Sequence, residues 1–167
     1  MREGAGGPLS QTSAAAPDQP GVRVPPPIIF AACFAAGLPL QRLFAVDPCP
    51  QPLRRGLALP CLVGSAVLAG WGFAWFLRSR TTLLPHKPSS ALITSGPYRF
   101  SRNPLYLSTA LLYAGLALWF GLIWSLLLLA AALTAVRFYV IAKEESYLER
   151  RFGREYLDYK TRVRRWL

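Results

Sequence analysis

The stretch NPLYLSTALLYAGLALWFGLIWSLLLLAAALTAV, residues 103–136, carries no formal charge over 34 positions. About 20 apolar residues span a bilayer core, so this run is too long for one helix and long enough for two short ones. Gly121 lies near its centre, and glycine is the residue that most readily ends a helix in a left-handed turn. The run therefore predicts a hairpin of two antiparallel membrane helices over about 103–141.

Two further uncharged blocks, residues 24–41 and 56–77, precede this hairpin. The second block fits one membrane helix, whereas the first contains four prolines and is either a short span or a segment buried among the others. Together the blocks predict an all-α integral membrane protein with about four transmembrane helices. Residues 1–23 are rich in Ala, Gly, Pro and Ser and lack a hydrophobic pattern, so we expect a disordered tail before one domain at 24–167.

The formal net charge is +11, and Lys and Arg cluster at the ends of the apolar blocks and in the tail after Lys143. This distribution is typical of the positive-inside bias and of attraction to anionic lipid headgroups, and it argues against nucleic acid as a partner. It predicts a multi-pass protein whose loop 78–102 and C-terminal tail face the cytoplasm, in the plasma (inner) membrane if the source is bacterial. Nothing in the sequence indicates an obligate protein partner. The three cysteines form no CxxC pair and His86 is the single histidine, so we expect neither a metal site nor a disulfide framework.

The C-terminal region predicts a helix that leaves the membrane over 138–160 and is ended or interrupted at Gly153. The stretch REYLDYKTRVRRWL, residues 154–167, then places Tyr156 and Tyr159 on one helical face. Aromatic residues on one face and arginines elsewhere are typical of an amphipathic helix that lies at a membrane interface.

Two polar motifs flank the predicted hairpin. In SGPYRFSRNPLY, residues 95–106, Asn103 suits an N-cap and Pro104 suits the first helical position. Capping does not explain why Arg99 and Arg102 lie at the positive end of a helix dipole, where cations are disfavoured.

The second motif, AKEESYLERRFG at residues 142–153, places two adjacent carboxylates, Glu144 and Glu145, just after the hairpin. Either both face water on a continuing helix, or one faces inward and holds a cation or sugar hydroxyls. Because one motif begins the first arm of an antiparallel hairpin and the other ends the second arm, the two should meet at one end of the bundle. Ionisable groups at such a position indicate a functional site.

The combination of LITSGPYRFSRNPLYLS with EESYLERRFGREYLDYKTRVRRW resembles the isoprenylcysteine carboxyl methyltransferase family and its phospholipid N-methyltransferase relatives, over residues 92–167. Two positions depart from the family pattern. Ser108 stands where a glycine is usual, and the ending Arg162–Arg165 lacks the usual proline.

The resemblance implies a membrane methyltransferase that uses S-adenosylmethionine, bound at the cytoplasmic face and enclosed by the C-terminal segment. It implies a cofactor site made of two groups of residues, namely Arg102, Asn103, Pro104 and Tyr106, and Glu144, Glu145, Leu148, Tyr156, Tyr159 and Arg162. A glutamate can bind the amino group or ribose hydroxyls of this cofactor, and Arg102 or a tail arginine can pair with its carboxylate. Arg99 and Arg137 are the candidate catalytic residues, because either arginine can position an acidic acceptor.

The expected acceptor is a lipidic or isoprenoid-bearing molecule that enters from the bilayer. O-methylation of a carboxylate is favoured, because this group is already ionised at neutral pH and needs no general base. Two alternatives stay open at this point. One is an NADPH-dependent reductase of the sterol reductase type, which usually has a longer chain; the other is a non-enzymatic membrane scaffold.

Overall fold

The computed structural model describes residues 21–47, 50–78 and 92–167. The predicted disordered tail therefore lies, apart from its last three residues, outside the described part of the chain, as do Cys49 and His86. The described residues form α-helices without any strand, in the order Pro26–Leu43 (α1), Gln51–Arg78 (α2), Pro104–Phe120 (α3), Ile123–Ala135 (α4), Ala142–Phe152 (α5) and Arg154–Arg162 (α6). A 3-10 turn at Gly96–Arg99 precedes α3, and a π-helical segment at Val136–Ile141 joins α4 to α5.

The helices confirm the predicted all-α membrane architecture. Within the described residues, three helices are long and apolar enough to cross a membrane, at Pro26–Leu43, Gln51–Trp75 and Ile123–Phe152. The fourth apolar helix, Pro104–Phe120, is shorter, at 17 residues. The first block thus forms an 18-residue helix that tolerates Pro39 in its interior.

The predicted hairpin is confirmed, and its turn is fixed by glycine. Gly121 caps α3 at φ 70°, a conformation that costs other L-residues about 1–2 kcal/mol. A Cβ atom at this position would lie against the Arg54 guanidinium, which packs beneath the turn and pairs with Asp47 at 3.5 Å. The uncharged run 103–136 therefore divides into two helices at Gly121, where a side chain would strain the backbone and collide with Arg54.

Small residues allow the membrane helices to approach closely. Helix α2 packs along α3, and α1 packs along α4. Gly37 of α1 faces Ser125 of α4, whose hydroxyl donates a hydrogen bond to the Phe34 carbonyl at 2.9 Å. The Tyr113 hydroxyl in turn donates to the Ser125 carbonyl at 2.7 Å. Such contacts are typical of helix packing in lipid, where hydrogen bonds and small residues replace the hydrophobic driving force.

The two ends of the bundle can be distinguished by their contacts. At one end, the Trp124 indole donates to the Phe44 carbonyl at 2.9 Å, next to the Gly121 turn. At the other end, Val22 is buried against the π-helical segment, and Lys143 lies 3.4 Å from the Gly21 carbonyl. The start of α1, the end of α2 and the start of α3 share this second end with α5, and both polar motifs lie there.

The C-terminal region confirms the predicted interruption at Gly153, which has φ 51° and separates α5 from α6. Helix α6 is amphipathic as expected, since it buries Tyr156 and Tyr159 and exposes its charged residues. Its location at a membrane interface stays a prediction. Residues 163–167 follow α6 as an extended segment, which we call the C-terminal strap. It returns to the start of α3, where the Arg102 amide donates to the Arg164 carbonyl at 3.0 Å.

Candidate functional site

The first polar motif is held in place by the end of α2. Gly96 adopts φ 63°, and a Cβ atom there would lie 2.5 Å from the Trp75 ring. The Trp75 indole donates a hydrogen bond to the Ser95 hydroxyl at 2.8 Å. The 3-10 turn is therefore packed on a tryptophan, and this contact positions the loop that leads into α3.

Asn103 occupies the N-cap position of α3 and Pro104 the first helical position, as the sequence predicts. The Asn103 side chain does not cap the helix, however. Its amide nitrogen instead donates to the Arg165 carbonyl at 3.0 Å. The strap thus supplies an acceptor that orients the Asn103 amide away from the helix end, and the residue joins the two motifs instead of capping one of them.

The two motifs meet at Glu144, whose Oε1 accepts a hydrogen bond from the Tyr106 hydroxyl at 2.7 Å across 38 residues of sequence. The nearby Tyr98 is affected by the same carboxylate. Burial, and secondly the negative charge of Glu144, raise the pKa of Tyr98 to about 12. At neutral pH Tyr98 is therefore protonated.

Glu145 is the most buried charged residue of the site, with 6% of its surface exposed. Arg165 binds it through two nitrogens, with Nε 2.9 Å from Oε1 and Nη2 2.5 Å from Oε2. Arg102 Nη1 lies 3.1 Å from the same Oε1. The hydrogen bonds to Glu145 raise the pKa of Arg165 above its ordinary value, so Arg165 stays charged. The sequence left open whether both glutamates face water or one faces inward. Glu145 faces inward, and the cations that it binds are the guanidinium groups of Arg102 and Arg165.

Arg102 is also buried, with 9% of its side chain exposed. Its Nη1 lies 3.5 Å from the Tyr156 hydroxyl, but its Nε is buried and has no hydrogen-bond partner among the described residues. Buried donors are almost always paired in native proteins. This nitrogen is therefore available to donate a hydrogen bond to an acceptor from outside the described chain. We refer to Arg102, Tyr106, Glu144, Glu145 and Arg165 as the polar cluster.

The tyrosines of α6 attach that helix to the motif loop. The Tyr159 hydroxyl donates to the Tyr98 carbonyl at 2.6 Å, and the rings of Tyr156 and Tyr159 lie 6.1 Å apart. Leu148 and Val163 pack against this pair. Burial raises the pKa of Tyr156 to about 12 and raises that of Tyr159 further, so both hydroxyls are donors at neutral pH.

A groove of about 370 Å³ opens beside the polar cluster, between α3, the end of α4 and the strap. Its lining is apolar except for one hydroxyl and one cation and consists of Leu107, Ala110, Leu133, Thr134, Arg137 and Trp166. Arg137 lies inside the apolar stretch Ile123–Phe152 and stacks on the Phe138 ring at 5.5 Å. It forms no ion pair with any described residue. A charge inside a membrane segment without a counter-charge indicates function by default.

The structure brings together most of the residues that the sequence nominates for the cofactor. Those in or against the polar cluster are Arg102, Asn103, Pro104, Tyr106, Glu144, Glu145 and Tyr156, with Leu148 and Tyr159 packed beside them. Arg162 is exposed instead and donates to the Asp158 carbonyl of its own helix. Arg99 is exposed as well, with its guanidinium 5.2 Å above the Phe100 ring. The roles of all these residues remain predictions.

Sequence reasoning did not nominate Arg165, Tyr98 or Trp166. The last six residues contain three arginines, at 162, 164 and 165, and nothing in their spacing marks the one that reaches Glu145. Tyr98 lies within the first motif, and this position is the signal that could have identified it. Among the described residues, no group of three or more His, Cys, Asp and Glu side chains could hold a metal ion.

Comparison with known proteins gives two matches. A family model described as phospholipid methyltransferase matches residues 53–155, which include Arg102–Tyr106 and the Glu144–Glu145 pair. An uncharacterized protein of Haemophilus influenzae is 41% identical over 63 residues, which are 38% of this chain and 100% of that protein. No solved structure matches. The strap and the α6 tyrosines lie beyond the matched range.

Proposed function

The chain belongs to the phospholipid methyltransferase family, and on this premise we propose that it transfers a methyl group from S-adenosylmethionine to a lipidic carboxylate at the cytoplasmic face of the membrane. Family membership and the apolar helices make it an integral membrane protein of a methyltransferase family that acts on lipid-type substrates. The observation that carries the finer proposal is the polar cluster, with its unpaired Arg102 Nε beside a groove open to a lipid.

The chemistry of the polar cluster fits S-adenosylmethionine. This molecule has an α-carboxylate, an α-ammonium group and ribose hydroxyls. The unpaired Nε of Arg102 can donate a hydrogen bond to the carboxylate. Glu144 has about four lone-pair positions, of which Tyr106 takes one, so it can accept from the ammonium or from a hydroxyl. When bound, S-adenosylmethionine supplies an electrophilic methyl group on a sulfonium sulfur.

The residues of the chain contribute orientation and exclusion of water. Glu145 holds Arg102 and Arg165 in fixed positions, because a carboxylate between two guanidiniums restricts both. The Tyr156 hydroxyl lies against Arg102 from the side of α6. Fixed, dry geometry of this kind supplies a large part of the rate of a bimolecular transfer.

The groove supports a carboxylate rather than an amine as the acceptor. A lipid ammonium would have to lose a proton before it could react, and none of the six lining side chains can accept one at neutral pH. A carboxylate is already ionised, and Arg137 can pair with it. Arg137 therefore keeps the role of positioning the acceptor. Arg99 belongs to the first motif, is exposed, and would act on groups outside the groove.

The distribution of charge supports a cytoplasmic site. Arg99, Lys143 and most arginines of α5 and α6 lie at the end of the bundle that holds the polar cluster, and exposed cations are fewer at the Gly121 end. By the positive-inside bias, the first end faces the cytoplasm.

Binding of S-adenosylhomocysteine tests the cofactor assignment. Isothermal titration of the full chain in detergent should show binding of S-adenosylhomocysteine and none of NADPH. Glu144→Gln should weaken the binding of S-adenosylhomocysteine at least about tenfold, because hydrogen bonds to charged groups contribute about 1.5–3 kcal/mol. The exposed Arg150 offers a matched control, and Arg150→Gln should bind as the wild type does. Binding of NADPH alone would refute the assignment.

The atom that receives the methyl group, oxygen or nitrogen, identifies the acceptor. The protein is incubated with membranes of its expression host and with S-adenosylmethionine labelled in the methyl group. A methyl ester releases the label as volatile methanol in mild base, whereas an N-methyl group retains it. We expect base-labile label, and its loss in Arg137→Gln. Base-stable label would make a lipid amine the acceptor.

A further inference from the structure

Trp166 contacts two parts of the protein at once. Its indole lines the groove, and it also packs against the buried cluster that includes Val136 and Val140 of the π-helical segment. The residue is half-buried. Trp166 is therefore a fixed wall of the groove and not a freely moving side chain at the end of the chain.

The strap that carries Trp166 is fastened at successive positions. The Arg164 carbonyl accepts from the Arg102 amide at 3.0 Å, and the Arg165 carbonyl accepts from Asn103 at 3.0 Å. The Arg165 side chain binds Glu145 through two nitrogens. Removing one partner of a buried ion pair is strongly destabilising, because it leaves the other charge without compensation. The position of the indole consequently depends on the polar cluster next to it.

The indole is the largest group that faces the groove. The other lining residues of α3 and α4 are aliphatic or small, namely Leu107, Ala110, Leu133 and Thr134. The groove volume of about 370 Å³ lies near the lower limit of about 300 Å³ for ligand pockets. Trp166 is therefore the bulkiest wall that an acceptor in this groove would meet.

We propose that Trp166 determines the specificity for the acceptor, admitting an acid with an unbranched chain and excluding a branched one, and that Arg165 positions Trp166 through Glu145. The proposal rests on the proposed function, because it takes the occupant of the groove to be a lipidic carboxylate paired with Arg137. Apolar pockets typically discriminate about 10–200-fold for one methylene group, so a bulky wall can impose a selectivity that is easy to measure.

The test compares two acids on the full chain in nanodiscs, with empty nanodiscs as the blank for partitioning into lipid. The probes are tetradecanoate and phytanate, a tetramethyl-branched fatty acid, and the readout is the ratio of their dissociation constants. The wild type should prefer tetradecanoate by about tenfold or more. Trp166→Ala should bring the ratio close to one. Trp166→Phe should give an intermediate ratio, and it carries the test if the alanine variant does not fold.

Two further variants separate the parts of the proposal. Leu167→Ala changes the exposed neighbour of Trp166 and should keep the wild-type ratio. Arg165→Met should lower the ratio although Arg165 does not line the groove. A purely structural role for Arg165 would weaken both acids equally and leave the ratio unchanged.

A parallel titration with S-adenosylhomocysteine separates failure of this proposal from failure of the proposed function. If the wild type binds both ligands and the Trp166 variants keep its ratio, the specificity role is wrong and the proposed function stands. If S-adenosylhomocysteine binds and neither acid does, the carboxylate acceptor and the role of Trp166 are both wrong. If S-adenosylhomocysteine itself does not bind to the folded protein, the proposed function fails.

Discussion

Replacing Glu145 by glutamine should release the C-terminal strap. The substitution keeps the shape of the side chain but removes the charge that binds Arg165 through two nitrogens and Arg102 through one. Removal of one partner from a buried pair costs about 3–5 kcal/mol. Since 28% of the Arg165 side chain is exposed and glutamine keeps one acceptor oxygen, we expect the strap to open more easily by about 2 kcal/mol.

The Arg102 amide reports this opening, because it donates to the Arg164 carbonyl and lies on a different segment from the strap. A change of about 2 kcal/mol corresponds to about 30-fold in the opening equilibrium, since each 1.4 kcal/mol is about tenfold. Hydrogen exchange of Arg102, resolved by overlapping peptides and mass spectrometry, should accelerate by about this factor in Glu145→Gln.

The exposed pair between Glu149 and Lys160 provides the control, because 34% and 39% of these side chains are exposed. Surface ion pairs contribute about 0–1 kcal/mol, so Glu149→Gln should change exchange at Arg102 by less than about fivefold. Exchange in Glu145→Gln that is no faster than in this control would refute the reasoning. It would mean that the backbone hydrogen bonds alone hold the strap.

Three further predictions concern single residues. Tyr106→Phe removes the hydroxyl that positions Glu144 and should weaken the binding of S-adenosylhomocysteine by roughly 10–100-fold in calorimetry, because hydrogen bonds to charged groups contribute about 1.5–3 kcal/mol; unchanged affinity would show that Tyr106 does not position Glu144 for the cofactor. Gly121→Ala forces a side chain onto a left-handed residue and should lower the unfolding temperature by about 2–8 °C or more, whereas Gly56→Ala, with nothing within 4 Å, should not lower it. Because burial raises the pKa of Tyr98 to about 12, its contribution to stability is complete below about pH 10 and is lost as the pH rises from about 10 to about 12. Tyr98→Phe should therefore flatten the alkaline unfolding curve in this range, and an unchanged curve would contradict this account.

The bundle was predictable because its features are local or compositional. The run 103–136 is too long for one span and has Gly121 next to its midpoint, and this is sufficient to predict a hairpin that turns at Gly121. The two motifs meet because the arms of the hairpin are antiparallel, and the hydrogen bond between Tyr106 and Glu144 joins them. The interruption at Gly153 likewise needed only the preference of glycine for positive φ.

The π-helical segment and the strap were not predictable for a different physical reason. Val136–Ile141 contains neither proline nor glycine, so none of the residues that usually mark a helix irregularity shows where the helix widens. The strap has no periodicity, and the choice of Arg165 over its neighbouring arginines depends on where the chain emerges from α6. Asn103 illustrates the same limit, since its amide binds a carbonyl 62 residues away instead of its own helix.

The composition of the polar cluster argues that it was selected for more than stability. A buried ion pair is often no more stable than apolar residues of the same volume, because the charges must be desolvated. An apolar contact would fasten the strap equally well and would leave no buried nitrogen unpaired. The cluster instead keeps Arg102 Nε without a hydrogen-bond partner among the described residues, and it leaves Glu144 with lone pairs that Tyr106 does not use. If the proposed cofactor binds here, its carboxylate and ammonium groups would pair with these atoms and would offset part of the cost of burying the charges.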